Sequence, residues 1–573
     1  MVAAATAAMV VAAVAPGARR AQYCGMRPAP AARAVHRPAR RSGRRWLATA
    51  LAVACTVASG AGTAEAHAQS LSSVAPPARF ADPQRAEKLR AAFPAVDSLI
   101  ARFAAERRVP GYAYGIIIDG RLAHVVAGGI RDVRTGARTD TASVFRIASM
   151  SKSFAALAIL QLRDEGKLSL DAPAEQYVPE LRGLRYATTD APRITVRHLL
   201  THSAGFPEDN PWGDQQLDRT EAEFSAMLRG GIPFSTAPGT AYEYSNYGFA
   251  ILGRIVTNVA GMPYARYLRE RILLPLGMRH TTLETRDVDP ARLAYGYRLQ
   301  DGQWLLEPPL PDGAFGVMGG MLTTPADLTR WVAFLLDAWP ARDGAETGPV
   351  KRSSVREMQQ LQRFSGASAV ASGEQLTLNA GGYGFGLRVN QNCDFRVAVS
   401  HTGGLPGYGS IMKWLPEHGV GIIALGSLTY TPWTPTVDEA FAILKRTGAL
   451  EPREPQPAPV LETRRAQVSR LVNAWSPPLA DSLAAMNLFR DEPADRRRAQ
   501  IGALVEAAGG DCRPEGAMVA ENALRGRWRL RCARGDLVVA VTLAPTEPAT
   551  VQFLSVAPLA REASLAPAPA CRR

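Results

Sequence analysis

A serine three residues ahead of a lysine, Ser149-Met150-Ser151-Lys152, opens an apolar run, Phe154-Ala155-Ala156-Leu157-Ala158-Ile159-Leu160-Gln161-Leu162. The run reads as a buried helix, on which residues three apart share a face. A serine hydroxyl is a weak nucleophile until a neighbour takes its proton. A buried lysine can give up its charge near neutral pH and act as that neighbour, which arginine cannot. The pair predicts a serine nucleophile at the head of a helix, beside N–H groups that the first turn leaves free. The bland alternative is a serine N-cap followed by a solvated lysine. The chain holds only six lysines, and two of them follow a serine by three residues. The second pair, Ser410 and Lys413, lies in 408–416, which reads as a strand. Residues three apart on a strand point to opposite faces, so this pair is predicted not to cooperate.

Two further segments favour chemistry at the first pair. Tyr244-Ser245-Asn246 follows a Pro238-Gly239 turn and precedes a helical pattern, Phe249-Ala250-Ile251-Leu252-Gly253-Arg254-Ile255-Val256. His401-Thr402-Gly403-Gly404 follows the strand-like Phe395-Arg396-Val397-Ala398-Val399. The order S-x-x-K, then Y-x-N, then H-T-G resembles the serine β-lactamase/penicillin-binding-protein superfamily. More narrowly it is similar to the class C β-lactamase-related serine hydrolases: esterases, D-aminopeptidases and DD-peptidase-like proteins. Leu199-Leu200-Thr201-His202-Ser203-Ala204-Gly205, Pro275-Leu276-Gly277-Met278 and Tyr383-Gly384-Phe385-Gly386 carry the same resemblance.

The resemblance implies roles. Ser149 is the acyl-accepting nucleophile, Lys152 relays its proton, and Tyr244 acts as base or acid through phenolate character favoured by a nearby cation. Asn246 holds Lys152 and a substrate amide. His401, Thr402, Gly403 and Gly404 form the substrate strand, with the N–H groups of Ser149 and Gly404 as oxyanion hole. β-Lactamases and many penicillin-binding proteins carry lysine where this chain has His401. Histidine is charged only part of the time near neutral pH. That favours an ester or amide hydrolase over a β-lactamase or DD-carboxypeptidase. A reading from another class is a non-catalytic peptide- or peptidoglycan-binding protein, against which the intact Ser149, Lys152 and Tyr244 set argues.

The pattern of elements, terminal strands paired with late strands and a helical insert between them, predicts a mixed α/β sandwich; the resemblance implies an antiparallel sheet flanked by helices plus an all-helical region. Residues 86–107 read as one amphipathic helix. Strands are expected at 112–118 and 122–127, joined by the hairpin signal Asp119-Gly120. A helix-rich middle covers 173–339. Strands return at 384–389, 395–400, 408–414 and 420–425, and a helix closes at 437–446. This hydrolase domain is assigned to 69–450. A proline-rich linker (451–465) and a small α+β domain without recognisable chemistry (466–573) follow.

Composition narrows the partners. The formal net charge is +14, but nine arginines and no acid stand in residues 1–45. The modest excess that is left is no nucleic-acid footprint. Residues 1–68 read as a leader: a cationic run ending at Arg44-Arg45, a short apolar stretch, and Ala66-His67-Ala68 ahead of a cleavage point. The expectation is an exported protein, periplasmic or secreted, with no transmembrane span in the mature chain. Cys55 is a lesser lipoprotein-anchor alternative. Cys24 and Cys55 leave with the leader; Cys512 and Cys532 either pair or sit reduced in a core. His198 and His202 stand at a zinc-like i, i+4 spacing without the glutamate of H-E-x-x-H, so no metal and no cofactor are expected. The partner is a small-molecule or peptide ester or amide.

Overall fold

The computed structural model describes residues 72–372 and 375–566. The leader, its cleavage point, Cys24, Cys55 and Cys571 lie outside the described residues. The described residues form one compact unit. No helix among the described residues is long and apolar enough to cross a membrane.

The chain begins its sheet with a hairpin. β1 (Gly111–Ile118) and β2 (Arg121–Asp132) pair antiparallel, with Ile118 opposite Arg121. Asp119 and Gly120 between them both take positive φ, +50° and +74°, the conformation a two-residue hairpin turn needs. β3 (Ala137–Arg138) extends this edge. Two short ribbons follow: β4 (Phe145–Arg146) with β7 (Leu322–Thr323), and β5 (Tyr297–Gln300) with β6 (Gln303–Leu306). The sheet resumes with β8 (Arg363–Ser372), β9 (Gln375–Tyr383), β10 (Arg388–Asn392), β11 (Ala398–Leu405), β12 (Tyr408–Leu415) and β13 (Val420–Gly426). Nine strands run in the order β3-β2-β1-β13-β12-β11-β10-β9-β8.

Period-two side chains let this sheet bury both faces. Ala113 and Ile117 of β1, with Ile423 and Leu425 of β13, join the large core beneath the helices Ser151–Asp164, Asn246–Ala260 and Pro325–Asp337. Tyr114, Ile116, Ile422 and Ala424 face the other way, under Phe93–Glu106 and Thr434–Arg446. An antiparallel sheet flanked by helices, with a helical region inserted between its terminal strands, agrees with the expected fold class.

Three expectations shift. Residues 86–107 are two helices, Arg85–Arg90 and Phe93–Glu106, because Pro94 starts the second one and cannot continue the first. Gly384–Leu387 is not strand: Gly386 takes φ +66° and turns the chain into β10. The hairpin β8–β9 was not expected at all; its Ser-, Gly- and Ala-rich sequence carries little strand signal.

The proline-rich stretch is laid along the unit rather than free. Glu454 bridges Arg79, and Arg453 donates to the Pro416 carbonyl at 2.8 Å while lying over the Phe80 ring. Helix Pro459–Asn473 takes up the last positions that read as linker. Beyond it, four antiparallel strands, β14 (Arg513–Asn522), β15 (Arg525–Arg531), β16 (Asp536–Leu543) and β17 (Val551–Leu559), pack on helices around a core of their own that includes Trp528, Leu530, Val539 and Leu471. A disulfide joins Cys512 to Cys532, which resolves the alternative left by the sequence.

Candidate active site

The turn that carries Ser149 is built before the helix starts. Ala148 takes φ +50°, a region that residues with a Cβ seldom occupy. A short 3-10 turn, Ala148–Met150, then leads into Ser151–Asp164. Strand β11 closes on this turn. A Cβ at Gly403 would lie 2.1 Å from the Ile147 carbonyl oxygen, so only glycine lets the strand approach. Gly403 and Gly404 pair regularly with Ser410 and Gly409; they are ladder glycines, not a bulge.

Lys152 is fully buried. Its Nζ stands 3.0 Å from Ser149 Oγ and 2.9 Å from the Met318 carbonyl oxygen. No carboxylate among the described residues pairs with it. Burial pushes its pKa down to about 7, with Asp214 and Asp209 pulling the other way. Tyr244 lines the same cleft as Ser149, and the Lys152 amine nitrogen lies over the Tyr244 ring, 4.9 Å from its centroid. The three residues expected to cooperate are thus brought together.

Three expected details differ. Burial pushes the Tyr244 phenol up, not down. Phenolate character is therefore not favoured. Asn246 does not hold Lys152: its Nδ2 donates to Asn210 Oδ1 at 3.2 Å, and its Oδ1 is buried without a partner. His401 is 1% exposed. Its Nδ1 lies 2.6 Å from the Thr402 carbonyl oxygen, which only accepts, so Nδ1 carries the proton. Nε2 then accepts from the Tyr383 hydroxyl at 2.8 Å. Burial, with Lys152 nearby, lowers its pKa to about 3. His401 is a neutral strut, not a part-time cation.

A beta-lactamase family model matches residues 96–446, which is most of the sheet, the helical region and every residue just described. The chain belongs to the beta-lactamase family. It is 27% identical over 341 residues to Protein flp of Staphylococcus aureus, covering 59% of this chain and 64% of that one. It is 27% identical over 307 residues to Penicillin-binding protein 4* of Bacillus subtilis, covering 50% and 61%. The chain thus spans less than two thirds of the length of these relatives. An octameric penicillin-binding protein homologue from Pyrococcus abyssi has the same fold, with a TM-score of 0.53 at 22% identity, over 82% of this chain and 94% of that one.

In this beta-lactamase-family chain the cleft above Ser149 has a volume of about 280 Å³. Its walls include Asn210, Tyr244, Thr402, Gly404 and Tyr430, and they reveal residues that no motif announced. Arg388, at the start of β10, lines the cleft half-buried, and its guanidinium makes no hydrogen bond or ion pair with another described residue. His202 grips the chain on both sides of Tyr244: its carbonyl accepts from Glu243 N at 2.8 Å and its Nδ1 from Ser245 N at 3.0 Å. Asp209 accepts from the N–H groups of Asn246 and Tyr247 at 2.6 and 2.8 Å, at the start of helix Asn246–Ala260. His198 Nδ1 is spent on the Thr195 N–H. Both histidines of the zinc-like spacing therefore serve the backbone. Only Arg388 had a readable signal, as a cation two residues past the Y-G-F-G motif.

Proposed function

We propose that this protein is an exported, metal-independent serine hydrolase that cleaves an ester or amide through an acyl-enzyme on Ser149. The observation that carries the reading is a fully buried lysine amine 3.0 Å from a serine hydroxyl, with no carboxylate among the described residues in a salt bridge with it. Neutral Lys152 takes the Ser149 proton as Oγ bonds to the substrate carbonyl carbon. The oxyanion that forms is met by the N–H groups of Ser149 and Gly404. The Tyr244 hydroxyl passes a proton to the leaving alcohol or amine as that bond breaks, and is reprotonated from Lys152. Water then attacks the acyl carbon, its proton returning by the same groups, and Ser149 is released with the acid.

Covalent labelling tests this. A fluorophosphonate probe is expected to add one adduct to the wild type and none to Ser149→Ala, read by intact mass. An unlabelled wild type that still binds peptidoglycan fragments would favour the non-catalytic binding protein instead.

A second reading has its own support. His401 supplies no cation, but Arg388 brings an unpaired one to the same cleft. That favours substrates bearing a carboxylate, such as β-lactams or peptides with a free C-terminus. A charge-assisted hydrogen bond contributes about 1.5–3 kcal/mol, or roughly ten- to a hundred-fold in affinity. Arg388→Ala is expected to lower kcat/KM by that factor for a cephalosporin or a C-terminal peptide and not for p-nitrophenyl acetate. An equal loss on all three would show that Arg388 acts on the fold and not on a carboxylate.

A further inference from the structure

Two walls meet over Ser149, and a side-chain hydrogen bond links them. The helical wall carries Asn210 and, four residues on, Asp214. The sheet wall carries Tyr430, in the loop after β13. The Tyr430 hydroxyl donates to Asp214 Oδ2 at 2.9 Å. Both ends of this contact are unusual. Tyr430 takes φ +51°, a strained conformation for an aromatic residue, held by its N–H donating to the Tyr408 carbonyl at 3.1 Å. Strain of this kind collects where structure serves a site. Tyr430 is nonetheless 47% exposed at the lip of the cleft. Its ring lies against the oxyanion strand: a Cβ at Gly404 would stand 2.6 Å from Tyr430 Cδ1. Asp214 is 2% exposed, and its other oxygen, Oδ1, is buried with no partner.

We propose that the Tyr430–Asp214 hydrogen bond is a clasp that closes the Gly404 end of the cleft against bulky acyl groups. Resting on the serine mechanism above, it goes further by naming the substrates admitted: esters or amides with a slim acyl group. The ring of Tyr430 occupies space beside the oxyanion strand, and the buried acid keeps it there. The charges around Lys152 are few. Asp214 and Asp209 both favour its ammonium. Tyr244, His202 and His401 face it as neutral groups, and Arg388 lies beyond His401. Asp214 in turn meets Lys152, Asp209, Glu208 and the Tyr430 hydroxyl. Removing the Asp214 charge therefore makes Lys152 easier to deprotonate.

The test compares wild type, Tyr430→Phe and Asp214→Asn on p-nitrophenyl acetate and p-nitrophenyl benzoate across pH. Loss of the hydrogen bond in Tyr430→Phe is expected to raise the benzoate-to-acetate ratio of kcat/KM about tenfold, and its weakening from charge-assisted to neutral in Asp214→Asn to raise the ratio by less. Asp214→Asn is also expected to move the acidic limb of kcat/KM down by about one pH unit or more, and Tyr430→Phe to move it the same way by less. A purely structural aspartate would not move that limb. If Asp214→Asn fails to fold by circular dichroism, Asp214→Glu keeps the charge and breaks the geometry, so the ratio should rise with the limb in place. Ser149-dependent activity with an unmoved ratio would overturn the clasp alone. Turnover that survives Ser149→Ala would overturn the serine mechanism as well.

Discussion

The chain writes the same short spacing twice, and only one copy lies in a setting for chemistry. Ser149 and Lys152 stand on one turn of a helical segment, where the amine reaches the hydroxyl at 3.0 Å. Ser410 and Lys413 stand on β12 and part company. Ser410 Oγ donates to the Ile147 carbonyl at 2.9 Å, beneath the nucleophile turn, while Lys413 crosses to the far face and pairs with Asp438 of helix Thr434–Arg446. The environments diverge further than the geometry. Lys152 is sealed from water, with no carboxylate among the described residues in a salt bridge with it, and burial lowers its pKa to about 7. Lys413 has an anion at hand. A four-residue motif thus acquires meaning from the period of the backbone that carries it and from what the fold puts beside its amine.

The sharpest way to break this contrast is to delete the two serines. Ser149→Ala is expected to lower kcat on the order of a million-fold, the loss seen when a serine hydrolase loses its nucleophile. Ser410→Ala should still label with a fluorophosphonate, at a stability cost of about 1 kcal/mol for its hydrogen bond. Labelling that depended on Ser410 would reverse the assignment. The lysines come next. Lys152→Ala and Tyr244→Phe should each cost about 10²–10⁴-fold in kcat, the usual range for a positioned proton-transfer group. Because they serve one proton path, the double variant should be little worse than either; multiplying losses in steady-state kinetics would contradict that path.

The pH profile sharpens the difference in environment. Lys152 must be neutral to take a proton, so kcat/KM should fall about tenfold per pH unit below its pKa of about 7. His401, held neutral with a pKa of about 3, should add nothing to that limb. An imidazole of His401 titrating between pH 5 and 8 by NMR would show that the strut to Tyr383 is open in solution. The smallest effect belongs to the other lysine. Lys413→Met removes a part-exposed ion pair, and such pairs contribute about 0–1 kcal/mol. Its melting midpoint should barely move and its turnover should stay within a few-fold.

What the sequence discloses here follows from range. The β1–β2 hairpin is legible because Asp119-Gly120 specifies its own turn. The nucleophile helix is legible because its apolar run is continuous. Ser149, Lys152 and Tyr244 are legible because each sits in an ordered motif. The role of His401 is not, because its charge depends on Tyr383 and on burial by elements distant in the chain. The same holds for Asn246, whose amide turned to Asn210 and not to Lys152. Asp214 and Tyr430 belong to no motif; only the approach of two walls gives them a relation. The β8–β9 hairpin was hidden for a different reason, since small and polar residues on an edge carry little pattern.

The order of the sheet constrains how such a molecule comes into being. β1 is made early, yet its partner β13 lies some three hundred residues downstream, across the entire helical insert. Until Gly426 has left the ribosome, one side of β1 is an unpaired edge, and contacts this distant in sequence form slowly. The nucleophile turn and the strand that closes on it are likewise joined only at the end. No shorter nascent chain can set Gly403 and Gly404 of β11 against the Ser149 turn.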